Sequence, residues 1–302
     1  MGDPLQCFIC LDEDAQPIPM GCACRGSAGS AHPACLAQAA TGRCRTCKQF
    51  FTGPMALELA RRRWEMVRGN PESKEALRTK SCYAAAMIAQ GQLEEAELML
   101  REALEVQTRV LGSDHHHTLF TAANRACVLQ LIGKFDEAEE LLRETVEVMN
   151  RVLGPDHSHT LRTTTNLAIC MHREGHLDAS VQMFREALEV QTRVLGPDHP
   201  HTLITTMHIA CVLQTNGQLG ASAKMLRETL EAQKRVLGPD HPDSMITAMH
   251  IACVVQSDGQ FDKAEEMLRE TLEAQKRVLG PDHLDARTTA MHLAGGRTVE
   301  RR

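Results

Sequence analysis

A period of forty-two residues constrains this chain more than any other feature. "LGSDH" begins at Leu111 and "LGPDH" at Leu153, Leu195, Leu237 and Leu279, each step being the same. The stretch from Met225 to His241 recurs unchanged from Met267 to His283, which argues for recent duplication. A repeat of this length reads as one supersecondary unit that cannot bury its apolar face alone, so neighbouring units must stack. Aromatic residues make up only 3 % of the sequence, so aliphatic helix packing is expected rather than an aromatic core.

Within a period the pattern reads as two helices. Thr160 follows the "GPDHSH" loop and is a candidate N-cap. "LRTTTNLAICMHRE" then runs as a first helix, which Gly175 ends as a left-handed residue. "LDASVQMFREALEVQTRVL" forms a second, acidic early and basic late at Arg193, matching the helix macrodipole. Gly196 and Pro197 stop it. This predicts five helix pairs at about 74–111, 116–153, 158–195, 200–237 and 242–279. A sixth first helix, "DARTTAMHLA", is expected to stop at Gly295-Gly296 without a partner. Its apolar face is then poorly capped, so fraying after about residue 285 or homotypic association is expected.

The segments "GKFDEAEELL" and "GQFDKAEEML" resemble the tetratricopeptide repeat, and the longer period with "LGPDHPHTL" and "TNLA" is similar to the kinesin light chain variety. The resemblance implies that first helices line a concave groove for a protein or peptide ligand. One groove position runs Cys82, Asn124, Asn166, His208, His250 and His292. In the resembled family an Asn at this position hydrogen-bonds an extended peptide backbone, a role that fits Asn124 and Asn166. The imidazoles of His208 and His250 keep a donor and an acceptor, alter the reach and add pH sensitivity.

The N-terminal segment is of another kind. Seven of the 12 cysteines fall between residues 7 and 47. Together with His32 they form four close pairs: Cys7 and Cys10, Cys22 and Cys24, His32 and Cys35, Cys44 and Cys47. Short turns of this kind place two donors on one tetrahedral zinc, and eight donors make two ions. So short a stretch cannot bury enough apolar area to fold alone; metal supplies on the order of 10 kcal/mol per structural site.

The order of four cysteines, one histidine and three cysteines, with "CACRGSAGSAHPACL" in the middle, resembles the RING-CH zinc finger. That resemblance implies a cross-brace, with Cys7, Cys10, His32 and Cys35 on one zinc and Cys22, Cys24, Cys44 and Cys47 on the other. It also implies a ubiquitin ligase, which docks a ubiquitin-charged conjugating enzyme and catalyses by positioning. Ile9 would supply the apolar docking knob. Ala39 stands where the family has tryptophan, and Lys48 supplies the basic residue after the last ligand.

The expected fold class is therefore a small zinc-stabilised cross-brace RING domain at 1–50, a linker helix at 51–73, an all-α solenoid of antiparallel helix pairs at 74–295 and a tail at 296–302. In the linker, Leu57, Ala60, Trp64 and Val67 share one helical face, and Arg61 to Arg63 read as a solvated basic run. The net charge of −6 gives no strong nucleic-acid footprint, no apolar run is long enough to span a bilayer, and the start lacks a signal-peptide pattern, so a cytoplasmic protein is expected. No catalytic triad, paired-carboxylate arrangement or phosphate loop stands out. Two functions follow: a RING-type ubiquitin ligase whose repeats select a substrate, or a non-catalytic zinc-binding scaffold. A motor-cargo adaptor is disfavoured because no heptad segment for a heavy-chain partner is evident. The "DHHH" at 114–117 and the repeat cysteines Cys127, Cys211 and Cys253 read as loop and packing residues.

Overall fold

The computed structural model describes residues 53–300 and two short strands, β1 (Ile18–Pro19) and β2 (Ser30–Ala31), which pair antiparallel with Ile18 opposite Ala31. The eight expected zinc ligands, with Ile9, Ala39 and Lys48, lie outside the described residues. Among the described residues there are twelve helices. The first, α1 (Gly53–Val67), is followed by five hairpins: α2 (Lys74–Ala89) with α3 (Leu93–Leu111), α4 (His116–Leu131) with α5 (Phe135–Val152), α6 (Ser158–Arg173) with α7 (Leu177–Val194), α8 (Pro200–Thr215) with α9 (Leu219–Val236), and α10 (Pro242–Ser257) with α11 (Phe261–Leu279). The last helix is α12 (Leu284–Glu300).

Small and large residues alternate across the hairpin seam. Ala84, Ala126, Ala168, Ala210 and Ala252, one per unit, are fully buried at 0 % exposure and let the paired helices approach closely. Leu100, Leu142, Phe184, Leu226 and Leu268 on the second helices are buried as well and fill the seam. The hairpin turn depends on glycine: Gly175 has φ +87° and His176 N–H donates to the Met171 carbonyl at 2.9 Å, closing a Schellman turn.

The start of each first helix departs from the expectation. Thr160 is not the cap; it lies inside α6, and its Oγ1 is buried without a partner. The cap is the histidine of the "DH" pair. Nδ1 of His115, His157, His199, His241 and His283 each accepts the backbone N–H two residues on, at 3.2 Å. An extended backbone at the histidine aims its ring at that donor, as Asn or Asp would be aimed. The imidazole of His115 in the "DHHH" tract is thus engaged as a helix cap. The terminal arginines also do more than face the dipole: Arg193 reaches Asp156 in the preceding loop at 3.2 Å, and Arg235 reaches Asp198 at 2.8 Å.

Two expectations at the ends need correction. In α1 the fully buried residues are Met55 and Leu59, while the predicted face of Leu57, Ala60, Trp64 and Val67 is half-buried. Trp64 does pack on the next helix, under the Lys80 ammonium at 5.9 Å, and Arg61 pairs with Glu58 and Glu65. At the other end, α12 does not stop at Gly295-Gly296 but continues to Glu300. Two glycines cost a helix about 2 kcal/mol, which continuing backbone bonds can offset, and no proline follows them.

The first turns of α12 are buried on the preceding hairpin rather than frayed, as the matching positions are in every unit, and the spiral has also come round onto its own beginning. Ala286 and Thr289 are 1 % and 0 % exposed. A Cβ on Gly91, in the α2–α3 turn, would lie 2.7 Å from Arg287 Nη1, and one on Gly280 would lie 3.4 Å from Pro54 Cδ at the start of α1. The two ends of the array therefore pack on each other.

Candidate functional site

First helices of successive units approach one another along the array, while second helices of neighbouring units do not to the same extent. The first helices thus occupy the shorter, inner radius, and their free faces form the wall of a groove. On that wall the fifth residue of each first helix runs Arg78, Phe120, Arg162, Ile204, Ile246 and Thr288.

The polar positions expected from the sequence behave differently from one another. Asn124 is half-buried, and its Nδ2 has neither solvent nor a hydrogen-bond partner among the described residues. Asn166 is one unit away and already engaged: its Nδ2 donates to Cys127 Sγ at 3.2 Å, and its backbone carbonyl accepts from Gln130 Nε2 at 2.9 Å. His208 stacks on Phe184, with ring centroids 5.9 Å apart and planes 9° from parallel. His250 Nδ1 lies 3.5 Å from Cys211 Sγ. Burial drives the imidazole pKa of His208 down to about 3 and that of His250 down to about 4. Both are neutral at physiological pH. The expected pH sensitivity of ligand contacts through these rings is therefore corrected: their titration falls far below neutrality. The same burial raises the Cys211 thiol to about 12, so this pair is no thiolate–imidazolium nucleophile.

The sequence did not single out Arg162. Its guanidinium lies over the Phe120 ring at 5.1 Å, and its Nε is buried without a partner. No carboxylate acts on it among the described residues, and burial lowers its pKa. A half-buried cation with no counter-charge of its own favours a ligand that supplies an anion. His159 stands beside it, edge-on to Phe120 at 5.7 Å. A cavity of about 600 Å³ opens next to this cluster, lined by Arg78, Cys82, Gln107, Phe120 and Met149 among others. The one available signal for Arg162 was its place in the fifth column, where later units carry Ile204 and Ile246.

The tetratricopeptide repeat family profile matches residues 75–151, 128–193, 177–235 and 205–277, which together span most of the chain. The chain belongs to the tetratricopeptide repeat (TPR) family. A solved protein described as a Podosopora anserina putative kinesin light chain with nearly identical TPR-like repeats is 25 % identical, covering 67 % of this chain and 95 % of its own, with a TM-score of 0.50. The TPR units here are thus similar to those of this putative kinesin light chain. BtubC from P. vanneervenii shares the fold at 17 % identity, covering 74 % of this chain and 91 % of its own, with a TM-score of 0.55. NprR in complex with its cognate peptide NprX shares it at 14 % identity, covering 77 % of this chain and 66 % of its own, with a TM-score of 0.61. No curated protein sequence matches. No helix among the described residues is long and apolar enough to cross a membrane.

Proposed function

We propose that the TPR array is a non-catalytic protein-interaction scaffold that holds an extended, acid-bearing peptide segment along its inner wall. The observation that carries this is Arg162, a half-buried cation stacked on Phe120 with no anion of its own. Asn124 adds an unsatisfied amide donor on the neighbouring helix, suited to a peptide carbonyl. The structurally similar NprR is known with a bound peptide, which supports this use of the fold. Nothing on the wall pairs a nucleophile with a base, and the Cys211 thiol beside His250 is held protonated.

Peptides selected from a random display library on the full-length protein are expected to carry a carboxylate at a fixed place. Arg162→Glu is expected to weaken them by tenfold to a hundredfold, the worth of one charge-assisted contact. Unchanged binding by a folded Arg162→Glu variant sinks the proposal.

A second reading rests on the spacing of Cys7, Cys10, Cys22, Cys24, His32, Cys35, Cys44 and Cys47. In it residues 1–50 bind two zinc ions and recruit a ubiquitin-charged conjugating enzyme through Ile9 and Lys48, with the array selecting the substrate. Auto-ubiquitination against a panel of conjugating enzymes is its test. Activity that appears only after Ala39→Trp and Lys48→Arg would leave the natural protein as a scaffold, and native mass spectrometry is expected to find two zincs per chain.

A further inference from the structure

The array's repetition exposes a site where it is broken. Where one second helix meets the next hairpin turn, three positions come together. Successive units fill them with Glu97, Ile132 and Lys134; Glu139, Glu174 and His176; Val181, Asn216 and Gln218; and Ala223, Asp258 and Gln260. Among the described residues only the second junction brings together three groups that can ligate a metal. Glu139 projects from α5, Glu174 ends α6, and His176 opens α7, so three separate elements meet. One ligand atom from each lies within 4.8 Å of the other two.

Neither Glu174 nor His176 takes a hydrogen bond from a donor group of the protein; the near neighbours of the Glu174 carboxyl are the carboxyls of Glu139 and Asp136. Oε1 of Glu174 is buried and has no hydrogen-bond partner. His176 makes no capping bond through its ring, unlike the loop histidines that cap the first helices. Glu139 accepts from Arg143, yet a carboxylate keeps a second oxygen and spare lone pairs. Two carboxylates held this close repel each other unless a cation or a proton lies between them.

We propose that Glu139, Glu174 and His176 form a binding site for one borderline divalent cation of the zinc or nickel class. Two carboxylates and an imidazole suit such ions, which bind these donors at about 2.0–2.2 Å, and a small inward swing of the exposed His176 closes the set. The ion ties α5, α6 and α7 into one rigid junction midway along the array, beside the units that carry Asn124 and Arg162. The site is independent of the peptide reading and of any zinc held by residues 1–50.

The test counts metal in the full-length protein. The full-length chain, freed of metal with a chelator and of chelator by gel filtration, is titrated calorimetrically with nickel. Wild type is expected to take one equivalent more than His176→Gln or Glu174→Gln, while Glu137→Gln, a neighbouring exposed carboxylate outside the cluster, keeps it. Because the comparison is between variants, thiolates near the N-terminus contribute equally to each arm. Zinc is expected to raise the thermal midpoint of the wild-type array by several degrees and to leave His176→Gln unmoved. Glu174→Gln is expected to raise the metal-free midpoint, since it removes the carboxylate repulsion. Equal stoichiometry in all four proteins overturns the site. So does loss of the extra equivalent in Glu137→Gln, which would mean diffuse surface binding.

Discussion

Acidification from pH 7.5 to 5 is expected to destabilise the array, with about 2–4 kcal/mol of the loss coming through His208 and His250. In the folded chain burial holds His208 down to about 3 and His250 down to about 4, against an ordinary value near 6.5. Below about 6.5 the unfolded chain takes up protons that the folded rings refuse, so stability falls as pH falls. The loss begins at the unfolded value and continues until the folded rings themselves titrate, near 4 and 3. At pH 5 each ring contributes up to about 1.5 decades of linkage, or about 2 kcal/mol; both are half-buried, so water screens part of it. His283, which burial also holds down at about 4, adds to the loss, whereas Asp285 acts in the opposite sense. Its carboxyl is raised to about 6 by burial, so the folded state holds that proton and acid relieves it. The decisive comparison is therefore between proteins. A His208→Asn, His250→Asn double variant, with the residue that Asn124 and Asn166 already place in this column, is expected to lose at least half of the acid dependence of the urea midpoint. An identical dependence in variant and wild type would assign the effect elsewhere.

These rings also mark where sequence reasoning reached and where it stopped. The hairpins were legible because two independent signals agreed: the constant spacing of the "LGPDH" loops, and glycines such as Gly175 that end each first helix. The groove column was legible by position but not by state. Whether an imidazole titrates depends on what covers it, and the ring beneath His208 belongs to Phe184, on a different helix of the preceding unit. Arg162 was missed for a related reason. An arginine in a helix reads as solvated, and only the tertiary structure shows that it lies over Phe120 and that no carboxylate answers it among the described residues. The histidine caps were missed because Ser, Thr, Asn and Asp dominate that position, and Thr160 stood close behind His157. The proposed zinc ligands rest on spacing alone and lie outside the described residues.

Leu279→Ala is expected to cost about 2–4 kcal/mol, whereas Leu237→Ala, one unit earlier and identical in its local sequence, should cost about 1 kcal/mol or less. Local helix propensity cannot separate the two, since Met225 to His241 and Met267 to His283 are the same sequence. Their surroundings can. Leu111, Leu153, Leu195 and Leu237 are all partly exposed at the ends of their helices, but Leu279 is 1 % exposed. Val278 follows the same rule: it is partly covered, where Val110, Val152, Val194 and Val236 are 42–45 % exposed. The covering element enters at Gly280, against which Pro54 of α1 packs, with Met55 fully buried behind it. The last complete unit is thus capped by the helix that precedes the first one. That contact answers the capping problem of a repeat array in an unusual way, by sealing one end with the other. It also joins elements from opposite ends of the array, so its loss should reach both. Hydrogen exchange in Leu279→Ala is expected to rise in α1 and the α2–α3 turn as well as in α11 and α12, with the middle units little changed. Protection lost only around residue 279 would mean that the ends touch without supporting each other, and equal costs for the two leucines would remove the closure from the account of stability.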